Sequence, residues 1–90
     1  MRIATGTPPP PRAEPAAIRT WARRVAAEAA TAPTTLRTAW RDQLAPLLTL
    51  AVQARDPHVL AELLTAAESL GATAHSPARE AAALLTAWTG

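Results

Sequence analysis

The chain contains no cysteine, lysine, asparagine, phenylalanine or tyrosine. Without cysteine there is no disulfide, no thiolate nucleophile and no thiolate-ligated metal. The three glycines, Gly6, Gly71 and Gly90, stand too far apart to form a phosphate-cradling loop. Long apolar runs are missing as well. The longest, Leu44 to Val52, is interrupted by Pro46 and Thr49 and falls far short of a membrane span. The opening MRIATGTPPPP has no continuous apolar segment of the kind a secretory leader requires, so the expectation is a cytoplasmic protein.

Four of the missing residues, Lys, Asn, Phe and Tyr, have codons rich in A and T, while Ala, Arg, Pro and Thr abound. That bias points to a GC-rich, bacterial genome. It also means that arginine enrichment alone is weak support for nucleic-acid binding. The formal net charge is +2, and the high pI reflects the lack of titrating Lys and Tyr as much as a basic surface.

At 90 residues the chain holds one modest hydrophobic core. Hydrophobic residues make up 49% of it, but much of that share is alanine, which adds little buried area. Trp21, Trp40 and Trp88 are therefore expected to anchor the core, because one indole buries far more surface than one alanine.

Residues 1–14 read as a disordered Pro-rich tail, with Pro8 to Pro11 held in polyproline II geometry and Arg12 as a charged flank. The run PPPPRAEP resembles a ligand of proline-reading domains. A helical bundle domain is expected over 15–90. Pro15 opens a first helix, about 15–31, with Ile18, Trp21, Ala22, Val25 and Ala29 on one face. Arg19 and Arg23 lie on the other side, and Arg24 pairs with Glu28 at i+4.

A second helix, about 35–55, carries Leu36, Trp40, Leu44, Leu47 and Ala51 on one face, widened by Leu48 and Val52. Pro46 lacks a backbone donor and crowds the preceding turn, which predicts a kink or a break. Asp56-Pro57 is an N-cap and N1 pair for a third helix, and Gly71 is its natural terminator. Val59, Leu60, Leu63, Leu64, Ala67 and Leu70 form its apolar arc, with Glu62, Thr65 and Glu68 outward. Ser76-Pro77 repeats the cap-plus-proline pattern for a last helix, about 77–89, expected to bury Ala81, Leu84, Leu85 and Trp88.

The stretch from Leu44 to Gly71 thus reads as an apolar hairpin around which the chain closes. It resembles a single HEAT-type repeat at Pro46, Leu47, Leu48, Leu50 and Val52, at Asp56-Pro57, and at Val59, Leu63, Ala66, Ala67 and Leu70. It departs from that family at Leu60, where a basic residue usually follows the valine. A solenoid needs about three stacked repeats, and this chain has room for one or two. No function is carried over from the resemblance.

Equipment for catalysis is sparse. Ser69 and Ser76 are explained by helix ends, and neither sits in a nucleophile turn with His58 or His75. Glu68-Ser69-Leu70 looks like the attachment site of acyl carrier proteins, but those serines open a helix whereas Ser69 ends one. His58 and Glu62 share a helix face at i+4, yet two ligands do not make a metal site. The acids are scattered singly. The expectation is a non-enzymatic protein without cofactor, metal or small-molecule substrate.

Two binding readings stand. The second and third helices have apolar arcs wider than one packing partner requires, so part of the arc is expected to meet another protein or a second copy in a homodimer. Leu48, Val52, Leu60 and Leu64 lie at the edges of these arcs and are the candidate interface. The alternative is a small DNA- or RNA-associated regulator. Residues 1–24 hold five arginines against one glutamate, and Arg12, Arg19, Arg23 and Arg24 are its candidate phosphate contacts. A helix-turn-helix reading of the last two helices offers only Arg79 and Glu80 to base edges. The fold expected is all-α: a small four-helix bundle, orthogonal or up-down, with its second helix kinked or split at Pro46.

Overall fold

The computed structural model describes residues 14–71 and 76–89, and for 76 and 77 the backbone alone. Its elements are α1 (Pro15–Glu28), α2 (Thr34–Ala54), α3 (Pro57–Ser69) and α4 (Ser76–Thr89), with no strand among the described residues. Over the described residues the protein is an all-α, four-helix bundle. The Pro-rich tail up to residue 13, Arg12 within it, the loop through His75, and the side chains of Ser76 and Pro77 lie outside the described residues.

The helix boundaries follow from local chemistry. Pro15 sits at the start of α1, where its missing N–H is no loss. The helix ends at Glu28, three residues before the sequence suggests, and Thr31 and Ala32 both donate back to the Glu28 carbonyl at 3.1 and 3.0 Å. Pro33 explains the early stop, since a residue preceding proline is pushed out of the helical region.

α2 runs unbroken through Pro46, so the split allowed for there does not occur. Pro46 and Asp42, whose carbonyl the proline leaves without its usual donor, are both exposed. Water can therefore replace the missing hydrogen bond.

The turn between α2 and α3 is only Arg55 and Asp56. Arg55 adopts a left-handed conformation, φ 53°, ψ 46°. Its N–H reaches the Val52 carbonyl at 3.1 Å, and the Asp56 N–H reaches that of Ala51 at 3.2 Å. This pair of bonds is a Schellman closure of α2, with arginine where glycine is usual. Asp56 then caps α3: its Oδ1 accepts from the N–H groups of His58 and Val59, both at 3.1 Å. Gly71 closes α3 with φ 70°, its N–H on the Glu68 carbonyl at 3.1 Å.

α3 is the hub. It packs against all three other helices, α2 also packs on α4, and α1 leans chiefly on α3. Leu60 and Leu63, both at 0% exposure, fill the space between them with Trp40 and Val25. No polar or charged side chain is buried among the described residues.

The expected α1 stripe, Ile18, Trp21, Ala22, Val25 and Ala29, is wholly inside. Trp21 and Trp40 anchor the core as expected, whereas Trp88 is only half-buried. Leu84 departs further from expectation. It is 38% exposed, and α4 turns Ala78 and Ala81 inward instead. Small residues let α4 sit close to α2 and α3, and this close approach leaves the larger Leu84 at the seam.

Candidate interaction surfaces

Four leucine and valine positions were expected to edge the apolar arcs, and the bundle separates them. Leu48 and Leu60 lie in the core, at 3% and 0% exposure. Leu60 is covered because the other helices close on α3 from several sides, the central placement that a wide apolar arc also allows. Val52 and Leu64 are half-buried against the core and remain accessible.

Two of the four, Leu48 and Val52, line an apolar surface that stays open. Between α2 and α4 runs a groove of about 490 Å³, with Leu48, Val52, Ala81 and Leu84 as its apolar lining. Thr49, Gln53 and Glu80 complete it with polar groups. Leu48 contributes to the floor of this groove, and Val52 and Leu84 offer the accessible apolar area. A smaller notch of about 130 Å³ lies where the start of α1 meets the end of α2 and the start of α3. Ile18, Ala51 and Val59 form its inner side, and Leu50, 39% exposed, stands at its edge. The sequence marks Leu84 for burial and Leu50 only for the HEAT-type resemblance, since each belongs to a run of aliphatic residues. Helical periodicity alone does not show which member of such a run the neighbouring helix leaves uncovered.

The arginine face is organised by a residue expected to point away from the core region. Glu62, on α3, faces α1. Arg23 clasps it with two donors, Nε to Oε1 and Nη2 to Oε2, both at 2.7 Å, and Arg19 Nε adds a third bond to Oε2 at 2.9 Å. The clasp forms because Arg19 and Arg23 are one turn apart on α1 and α1 packs on α3. The Arg23 hydrogen bonds hold the Glu62 carboxyl below its ordinary value. Partial burial opposes that shift, and Arg19 reinforces it. The same contact raises the Arg23 guanidinium further. Arg24 pairs with Glu28 at 3.4 Å, as the i+4 spacing suggests. Three of the four arginines proposed for phosphate contact are thus engaged by carboxylates, and Arg12 lies outside the described residues.

His58 is exposed in the first turn of α3, and the Glu62 carboxylate one turn on is taken up by arginine. Among the described residues no group of three His, Cys, Asp or Glu could hold a metal ion. Ser69 is exposed at the last position of α3. Among the described residues no helix is long and apolar enough to cross a membrane. Comparison with protein-family models, curated proteins and solved structures returned no match to this chain.

Proposed function

We propose that this chain is a non-enzymatic helical module that binds another protein, and that the α2–α4 groove receives an amphipathic helix of that partner. The groove with Leu84 at its edge is the observation that carries the reading. An apolar floor with polar residues along it is the form that helix-in-groove recognition takes, one or two aliphatic side chains entering while polar groups set register. A cytoplasmic setting belongs to the same reading and agrees with a cysteine-free chain.

The nucleic-acid reading loses its main support. Arg19 and Arg23 already share Glu62, so phosphate would have to compete with a carboxylate held by three hydrogen bonds.

Three chains test the proposal: the native protein, Leu84→Glu and Leu50→Glu, each captured from the lysate of its source organism and read by native mass spectrometry. Both substitutions fall on exposed positions and leave the core intact. A stoichiometric protein complex that survives Leu50→Glu and is lost with Leu84→Glu supports the groove. A complex indifferent to Leu84→Glu, or bound nucleic acid released by salt, overturns it.

A further inference from the structure

The notch at the start of α1 is an apolar site separate from the α2–α4 groove. Leu50, Ala54 and Pro15 form its open rim, and Ile18 and Val59 lie buried beneath. Leu50 and Leu84 are the large hydrophobic side chains left exposed among the described residues, and Leu84 belongs to the groove. Asp56 is the one charged residue that lines the notch.

The chain itself brings a matching segment to this rim. Pro15 is both a wall of the notch and the first residue of α1. Glu14 before it is exposed and extended, φ −111° and ψ 136°, so residues 1–13 start one residue from the rim. They include Pro8 to Pro11 and carry two arginines, Arg2 and Arg12, with no acid. At the polyproline II rise of ~3.1 Å per residue the four prolines span about 12 Å, enough to cross a notch of about 130 Å³. Arg12 stands three residues before Pro15, close enough in the chain for its guanidinium to reach Asp56. Tethering selects the occupant. So small a notch offers a free partner too little area for a stable interface. A tethered segment faces it at a millimolar effective concentration, where a contact with a Kd of about 1 mM is already about half made. The proline run also has little conformational freedom to lose.

We infer that residues 8–12 fold back onto the notch, the proline run lying on Leu50 and Ala54 and Arg12 pairing with Asp56. The contact covers the run that resembles a ligand of proline-reading domains, so a partner that reads the run must first displace it from the bundle. The α2–α4 groove takes no part, and the inference stands or fails apart from the functional reading above.

Thiol protection tests this on the full chain. The native sequence has no cysteine, so Ala54→Cys introduces a single thiol at an exposed position on the rim. Its alkylation by iodoacetamide should be at least about fivefold slower with the native tail than in a chain that also carries Pro8→Ser, Pro9→Ser, Pro10→Ser and Pro11→Ser. Thr65→Cys, exposed on α3 and outside the notch, is the control and should react alike with either tail. Adding Arg12→Glu should raise the rate at Ala54→Cys at least about twofold, and an unchanged rate counts against the pairing with Asp56. Equal rates with the native and serine tails overturn the inference, as does a tail effect of the same size at both thiols. Protection that grows with protein concentration assigns the notch to a second copy and overturns it too.

Discussion

Replacing Leu60 by alanine removes a side chain from the centre of the hub helix. Leu60 has no exposed surface and sits where the other helices close on α3. Leucine-to-alanine changes at buried sites cost about 2–5 kcal/mol, according to how far the surroundings collapse into the space. Collapse is limited here because neighbouring Leu63 and Trp40 are themselves fully packed, so about 3–4 kcal/mol is expected. A domain of this size has a total stability of only about 4–11 kcal/mol, which makes the loss a large share of the whole. Urea unfolding followed by circular dichroism should show the midpoint falling by about 2–3 M with little change in slope. Leu84→Ala is the internal comparison and should cost less than about 1 kcal/mol, because Leu84 is already partly in water. A Leu60→Ala cost below about 1 kcal/mol, or one smaller than that of Leu84→Ala, would refute the hub arrangement. The burial of Leu60 also means that a charged residue there tests folding and says nothing about an interface.

Arg55→Gly should stabilise the protein by about 1 kcal/mol, because the left-handed position at the end of α2 strains a side-chain-bearing residue and suits glycine. Thermal unfolding checks the sign, and a loss of stability would show that the arginine side chain makes a contact worth more than the strain. Asp56→Ala removes the acceptor for two N–H groups of α3 and should cost about 1 kcal/mol, measured in the same way. Glu62 gives a pH dependence. Its folded-state pKa lies below the ordinary 4.5, so its stabilising contribution is complete above that value and is lost as pH falls through the lowered one. Titrating the unfolding midpoint from neutral pH downward should show a loss that Glu62→Gln largely abolishes. An unaltered acid limb in that variant would assign the loss to other carboxylates.

The parts of the fold legible in the sequence were those whose chemistry is complete within a few residues. Asp56-Pro57 and Gly71 announce a cap and a terminator without reference to the rest of the chain, and both stand where they were expected. The stripe from Ile18 to Ala29 was equally clear, because a single packing partner covers it. Packing order was not legible. Leu48 and Leu60 read as edge residues because a wide apolar arc signals either a surface or a central helix, and periodicity does not distinguish the two. Glu62 read as solvated because its partners, Arg19 and Arg23, are about forty residues away in sequence and meet it only when α1 lies on α3. Leu84 was hidden by the opposite effect. The alanines beside it, unremarkable in composition, are what α4 buries.

Hydrogen–deuterium exchange on the protein with and without its captured partner tests the central claim most directly, since it locates the contact surface without mutation. The account predicts added protection concentrated in residues 48–53 of α2 and 80–84 of α4, the two sides of the groove. Added protection confined to the arginine face of α1, or none in either side of the groove, would contradict it.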